Sequence, residues 1–389
     1  MTIVVVAYTR FEELKLLLRS LDNANYLNDS VDLVISIDYG DNQSVVDLAQ
    51  KFKWKYGNKN VIVRKENLGL RKHVLFCGDL TKTLGDIILL EDDLFVSPEF
   101  YRFSKEAMAC YRDDENIAGV SLYLYNLNEY TRLRPFSFLS DSSDSFFMKI
   151  PSSWGQVWTA NQWKQFRNWY NNNLTLDIYH DEVPDKVLSW SDASWKKYFA
   201  VYIAVSNKYF VYPKCSLSTN MGSRGTHNRE SINTYQVELS YDFKRRYSFN
   251  DLSSASAIKY DAFFESETLK EYLENEYNSV EIDYYGTKKN YKSSRYLVST
   301  KSLNYTIVKE WELTLKPYEL NVINDIKGKG LYLYDLTQIK SNNTRKNKVE
   351  LIKYEVPFIT KEKALRICLS DYSRAVVRKL KKLILKKRI

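Results

Sequence analysis

Between residues 3 and 90 short apolar runs alternate with stretches whose apolar residues recur at helical spacing, which restricts the chain to a parallel sheet built from strand–helix units. Strands are predicted at 3–7, 31–37, 61–64 and 87–90, and helices at 11–21, 45–52 and 69–84. A further helix is predicted from Pro98 to about residue 112, with a strand at 117–122. Sheets of this kind bind ligands beyond the carboxyl ends of their strands. Polar residues cluster at those ends: Tyr8-Thr9-Arg10, Asp38-Tyr39-Gly40, Asn67 and Glu91-Asp92-Asp93.

The last of these groups carries the strongest chemistry. Ile87-Ile88-Leu89-Leu90 is a buried-type strand that runs directly into three carboxylates. Stacked negative charge at a strand end is costly without a cation, and carboxylates suit Mg²⁺ or Mn²⁺, ions that commonly share their coordination with substrate phosphates.

A chain of 389 residues with 44% hydrophobic content is long enough for two domains or for one large domain with an extension. The first residues, Met1-Thr2-Ile3-Val4-Val5-Val6-Ala7, resemble a first strand rather than a signal peptide, and no apolar run reaches the length of a membrane span. Cys77, Cys110, Cys215 and Cys368 are far apart in sequence and form no metal-type pair, which suits a reducing cytoplasm. The net charge of +9 is concentrated at one end, because residues 340–389 hold sixteen Lys and Arg against four Asp and Glu. Residues 1–339 hold 41 against 44, so the main body lacks the basic patch a nucleic-acid binder needs.

Residues 123–235 read as aromatic and loop-rich, with Trp154, Trp158, Trp163, Trp169, Trp190 and Trp195 within 42 positions, a density that suits either a sugar-binding wall or an ordinary core. From about 236 the chain becomes rich in Tyr and Lys, with a helix predicted at 261–277 and β-like runs at 279–285, 305–315 and 331–334. We read 1–235 as a catalytic domain, 236–360 as an extension and 361–389 as a basic amphipathic helix. In that last segment Leu365, Leu369, Tyr372, Val376, Leu380 and Leu383 form an apolar stripe flanked by Lys and Arg, a pattern suited to an anionic membrane surface.

Seven elements in order resemble a glycosyltransferase of the GT-A fold, in particular the N-acetylglucosaminyltransferase I family and its bacterial, family-2-like relatives. They are Val5-Val6-Ala7-Tyr8-Thr9-Arg10, Ser36-Ile37-Asp38-Tyr39-Gly40, Gly69-Leu70-Arg71-Lys72-His73, Glu91-Asp92-Asp93-Leu94 with Pro98-Glu99-Phe100, Trp154-Gly155, Trp190-Ser191-Asp192-Ala193-Ser194-Trp195, and Gly222-Ser223-Arg224-Gly225-Thr226-His227. The resemblance implies an α/β fold with a mostly parallel, Rossmann-like sheet flanked by helices, and a mixed α+β extension after it. It also implies metal-dependent, inverting transfer from a nucleotide sugar, with uracil as base, to a hydroxyl of a glycan or lipid-linked saccharide at the inner face of a bacterial membrane.

The resemblance assigns Asp93 and His227 to Mn²⁺ or Mg²⁺, and Tyr8, Arg10, Asp38, Lys72, His73, Asp92 and Arg224 to the donor. Trp154 and Gly155 fall to the acceptor, Glu91 to support of the loop, and Asp192 to the base. Tryptophans on either side of Asp192 are expected to desolvate it and raise its basicity, with Asp181, Glu182 and Asp185 in reserve. A nucleotidyltransferase is the competing enzyme, but it calls for a Gly-rich basic loop where Tyr8-Thr9-Arg10-Phe11-Glu12 stands. A non-catalytic glycan- and membrane-binding module is the third reading.

Overall fold

The computed structural model describes residues 1–369 apart from 132–133, 177–180, 223–232, 244–245, 292–293, 343–346, 357–358, 364 and 367–368. The chain divides into two compact units, one comprising Met1–Asn126 with Ser140–Phe264 and the other Leu127–Leu139 with Glu265–Ile389. Residues between the compositional change at 236 and Phe264 therefore pack with the first unit.

The first unit opens as strand–helix repeats: β1 (Thr2–Ala7), α1 (Phe11–Asp22), β2 (Leu33–Ile37), α2 (Gln43–Lys51), β3 (Lys59–Val63), α3 (Gly69–Asp79), α4 (Thr81–Leu84), β4 (Ile87–Glu91), β5 (Leu94–Val96), α5 (Phe100–Tyr111) and β6 (Ile117–Ser121). A two-stranded ribbon of the second unit follows, β7 (Leu127–Asn128) with β8 (Arg134–Pro135). The first unit then resumes with β9 (Ser145–Met148), β10 (Gln156–Trp158), α6 (Ala160–Asn172), α7 (Asp185–Leu188), α8 (Trp195–Val205), β11 (Tyr209–Pro213), β12 (Ser218–Asn220) and β13 (Lys259–Tyr260).

Nine of these strands form one sheet in the order β13-β9-β11-β6-β10-β4-β1-β2-β3. It is mostly parallel, as predicted, but β10 lies antiparallel to both β4 and β6, and β9 antiparallel to β11. Parallel registers Val6↔Glu91 and Ala7↔Ile37 bring the carboxyl ends of β4, β1 and β2 level with one another. The apolar stripe of α1, Leu14, Leu17, Leu18 and Leu21, is buried against the inward residues of this block, Ile3, Val5, Leu33, Ile35, Ile88 and Leu90. That burial, and not helix propensity, fixes the repeats, at roughly 25 cal/mol per Å² of apolar surface removed from water.

The expected helix at 69–84 is two helices that change course at Leu80. The loop-rich reading of 123–235 is corrected, since α6, α7, α8 and four strands of the main fold lie there. The α8 sequence shows no stripe because it is buried on nearly every side, from Trp195 to Ala204.

The second unit contains α9 (Glu267–Glu274), β14 (Val280–Asp283), β15 (Tyr296–Ser299), β16 (Tyr305–Glu312), α10 (Tyr318–Ile323), β17 (Gly330–Ile339) and α11 (Asn347–Glu355). Its sheet is mixed, in the order β14-β15-β17-β16, with the first pair parallel and the others antiparallel. The helix expected at 261–277 shortens to α9, which Ser266 caps through its hydroxyl and the Leu269 N–H at 3.1 Å. Arg134 is anchored in this unit, donating to Glu355 at 2.7 Å and to the Tyr285 carbonyl at 2.9 Å. Most of the amphipathic helix expected at 361–389 lies outside the described residues. Among those that are described, no helix is long and apolar enough to cross a membrane.

Candidate active site

The chain winds outward from β1 to β2 to β3 and then returns to place β4 on the other side of β1. A reversal of this kind opens a crevice at the strands' carboxyl ends, the place where open α/β sheets hold nucleotides. The acidic run at the end of β4 projects into that crevice beside the end of β1.

Asp92 is 7% exposed and accepts a hydrogen bond from the Tyr8 N–H at 3.1 Å. The Arg10 guanidinium is hydrogen-bonded to Asp93 Oδ2 and lies 3.5 Å from Asp92 Oδ1. Asp93 Oδ1 is buried with no partner. Glu91 receives a long bond, 3.4 Å, from the Trp195 indole N–H.

Two acids thus share one cation, with Glu91 next to them. Burial, reinforced by the charges of Asp93 and Asp92, pushes Glu91 up to about 8. Burial and then Asp93 push Asp92 up to about 7, with Arg10 and the Tyr8 N–H pulling the other way. Burial works against the charge of Arg10, but Asp93 and Asp92 outweigh it and hold its pKa above the ordinary value. Fully ionised, the three acids would carry more negative charge than Arg10 offsets, and the raised values of Glu91 and Asp92 are the response of the site without a further cation.

A divalent ion fits this place on limited terms. Among the described residues no group of three His, Cys, Asp or Glu side chains forms a protein cage. The unpartnered Asp93 Oδ1 is the available oxygen, and an ion held there would take most of its remaining ligands from a bound diphosphate. His227 and Arg224, expected at the metal and the donor, lie outside the described residues.

The other wall of the crevice comes from β1, β2 and the start of α3. Tyr8 is 42% exposed and its ring abuts Gly40, where a Cβ would come within 2.6 Å of Tyr8 Cε2. Asn67 Nδ2 reaches the Tyr8 hydroxyl at 3.3 Å and the Tyr39 carbonyl at 2.8 Å. Asn42, which sequence reasoning missed, ties the two loops together from below by donating to the Tyr8 and Asp38 carbonyls at 2.7 and 2.8 Å.

Asp38 is buried and accepts from the N–H groups of Tyr39, Leu68 and Gly69 at 3.0, 2.9 and 3.0 Å. It caps the amino end of α3 from outside the helix, as a carboxylate does favourably. His73 is brought not to the crevice but into the core, 2% exposed, with Nε2 2.8 Å from Ser36 Oγ. Desolvation lowers its pKa to about 4. It shares the inward face of α3 with Val74 and Cys77, which leaves Lys72 on the exposed face and Arg71 bonded to the Tyr198 hydroxyl at 2.6 Å.

Asp192 departs from its expectation. Its side chain is 78% exposed and ion-paired with Lys197 at 2.7 Å, which lowers its pKa. The predicted desolvation is absent because Trp195 turns inward, packing edge-on to Trp158 while its N–H faces Glu91. The reserves Asp181, Glu182 and Asp185 are exposed, and Asp185 opens α7.

The tryptophan cluster divides. Trp158, Trp163 and Trp195 are core residues, whereas Trp154 is half-buried against Tyr123 and Tyr235 at ring distances of 4.6 and 4.8 Å. Lys196 lies 5.2 and 5.1 Å from the Trp154 and Trp190 rings and donates to the Tyr125 hydroxyl. Gly155 adopts φ +94, a left-handed conformation that keeps this corner reserved for glycine.

No protein-family model matches the chain, and no curated protein matches it. Among solved structures it is similar to the 1–349 portion of S. aureus TarS, with 14% identity and a TM-score of 0.35 over 57% of this chain and 61% of that one. The same portion in complex with UDP-GlcNAc gives 15% identity and a TM-score of 0.36 over 58% and 60% of the two chains. The mannosyltransferase PcManGT from Pyrobaculum calidifontis, in complex with GDP-Man and Mn²⁺, gives 12% identity and a TM-score of 0.36 over 58% of each chain. In every case the match spans less than two thirds of the neighbour, and likeness at this level carries no argument about what the chain does.

Proposed function

We propose that the chain is a metal-dependent glycosyltransferase that moves a sugar from a nucleotide donor to a hydroxyl of a glycan or lipid-linked saccharide. One observation carries this reading: at the point where the sheet order reverses, a buried carboxylate oxygen, Asp93 Oδ1, has no partner while Asp92 and Asp93 share one guanidinium beside a third acid, Glu91. A nucleotidyltransferase would also use such a crevice, but β1 leads into Tyr8-Thr9-Arg10 rather than a glycine-rich phosphate loop. A purely binding module has no use for the unpaired oxygen.

On this reading the Tyr8 ring, supported by Gly40 and Asn67, receives the nucleobase, with uracil our choice. Asp38 acts by fixing the loops around that shelf, since three backbone N–H groups already occupy its carboxylate. Asp93 holds the ion and Asp92 faces the donor's hydroxyls. A bound Mn²⁺ or Mg²⁺ would supply charge to the departing diphosphate. Arg10 has further N–H groups beyond the one on Asp93 and can turn them to phosphate. Asp192 is ionised at neutral pH, as a base must be, and Lys197 makes it a weak one. The acceptor side would include Trp154 and Gly155. We place the work at the inner face of the cytoplasmic membrane, and loss of liposome binding on deletion of residues 364–389 tests that placement.

The decisive experiment is donor hydrolysis with Mn²⁺ by the full chain and by Asp93→Ala, together with thermal shift by UDP and Mn²⁺. Stabilisation and turnover in the parent with loss of both in the variant support the reading, because a ligand selective for the native state raises its melting temperature. Equal turnover in both proteins would overturn it.

A further inference from the structure

Arg10 stands against the carboxylate that is the candidate metal ligand, and carboxylates alone hold it there. Its guanidinium is hydrogen-bonded to Asp93 Oδ2 and lies 3.5 Å from Asp92 Oδ1, and among the described residues it bonds to nothing else. The side chain is 27% exposed, and it leaves the backbone at the N-cap of α1 without capping that helix. Arg134 shows the contrast. Glu355, the Tyr284 and Tyr285 carbonyls and the Tyr318 hydroxyl all accept from it, so it cannot turn without giving up neutral partners as well as its acid.

The acidic loop does not depend on Arg10 for its place. The Tyr8 N–H holds Asp92 at 3.1 Å, and the Met221 N–H holds the Asp93 carbonyl at 2.9 Å, beside a groove lined by Asn220 and the start of α1. What Arg10 supplies is charge. When ionised, Asp92 and Asp93 carry two negative charges against its one, and a divalent ion in its stead would balance them. The two cations exclude each other, because a guanidinium on Oδ2 and an ion on the unpartnered Oδ1 would share one carboxylate. Repulsion at so short a range in a partly buried site costs orders of magnitude in affinity.

We propose that Arg10 is a resident counter-ion: it neutralises the acidic loop in the absence of a divalent ion, and it leaves Asp93 for the donor's diphosphate when ion and nucleotide bind together. This rests on the metal reading of Asp93 and adds a dependence between the two ligands. Displaced by a lone ion, the guanidinium loses its anions and gains none. Displaced by an ion that arrives with a diphosphate, it exchanges carboxylate oxygens for phosphate oxygens, to which its fork is equally suited. Ion and nucleotide therefore tighten each other, by the same factor in both directions.

Mn²⁺ titrations of the full chain, followed by the electron spin resonance of the free ion, test this, with Asp93→Asn reporting ions bound elsewhere. Without nucleotide, Arg10→Gln should bind Mn²⁺ about tenfold more tightly than the parent. Adding UDP should then tighten Mn²⁺ less in the variant than in the parent. Arg10→Lys keeps the charge but has no fork to span both acids, so it should also tighten Mn²⁺, by less, and it decides the matter if Arg10→Gln melts early. An arginine that only orients Asp93 predicts the reverse. Equal or weaker Mn²⁺ binding in the deciding variant, an equal gain from UDP in parent and variant, or no binding beyond that of Asp93→Asn would overturn the proposal. Donor hydrolysis keeps the two readings apart. Hydrolysis by the parent with no tightening in the variants removes the counter-ion and leaves the transferase, whereas tightening without hydrolysis of any donor does the opposite.

Discussion

Asp93 at the end of β4 and Asp283 at the end of β14 are both strand-end carboxylates, yet their surroundings differ in kind. Asp283 is fully buried and accepts from the Thr287 and Lys288 N–H groups at 2.8 and 3.2 Å, the Tyr291 hydroxyl at 3.3 Å and the Lys301 ammonium at 3.1 Å. Asp93 shares Arg10 with Asp92 and keeps one oxygen unpartnered. The first arrangement is complete without a ligand, and the second is not. On the proposed reading, what distinguishes the structural acid from the working one is the satisfaction of its oxygens rather than the density of its charge.

Four measurements sharpen or break that contrast. Asp93→Asn should lower donor turnover by about 10³-fold, the scale of a lost electrostatic contribution at a reacting phosphate, with an unchanged or raised melting temperature. A large loss of stability would put Asp93 in the same class as Asp283. His73 is a buried group beneath the crevice, and its pKa falls from 6.5 to about 4 in the folded state. The unfolded chain therefore binds the proton first, so this contribution is present above pH 6.5 and is lost as the pH falls towards 4. It amounts to about 3 kcal/mol. Urea titrations should show that slope in the parent and its absence in His73→Gln.

Asp283→Asn should cost about 2 kcal/mol of stability, because Lys301, partly exposed, can recover some hydration. Turnover per folded molecule should not change, and a loss of turnover would show that the second unit reaches the chemistry. Tyr8→Ala should weaken UDP binding about tenfold, the lower end of a stacking contribution, as measured by calorimetry. Undiminished affinity would remove the base from the shelf on Gly40.

Much of the first unit was legible because β1, β2 and β4 are short apolar runs closed by polar residues, as in Ile87 to Asp93. Proximity across the sheet was not. Arg10 was assigned to the donor, and only the register Val6↔Glu91 shows that it also meets Asp93. The helix α6 carried a readable start signal, Thr159 with Gln162 three residues on, which forms a capping box in the structure. The aromatic density around it obscured that signal. Asp192 was misjudged because flanking tryptophans say nothing about which way a ring turns. Lys197, in the first turn of α8, decided its environment. The groove near Asn220 has no sequence signature, since β5 and the start of α1 meet β12 only in the folded chain.

The antiparallel strand β10 sits between β4 and β6, with Val157 opposite both Ile88 and Val120. During synthesis the inner edge of β4 therefore stays open long after the strands on its other side have emerged, offering Ile87 to Leu90 to any extended peptide nearby. Fragments that stop short of Trp158 should be sticky and poorly recovered. A chaperone that shields one edge until residues 156–158 leave the ribosome would raise the yield of the whole protein.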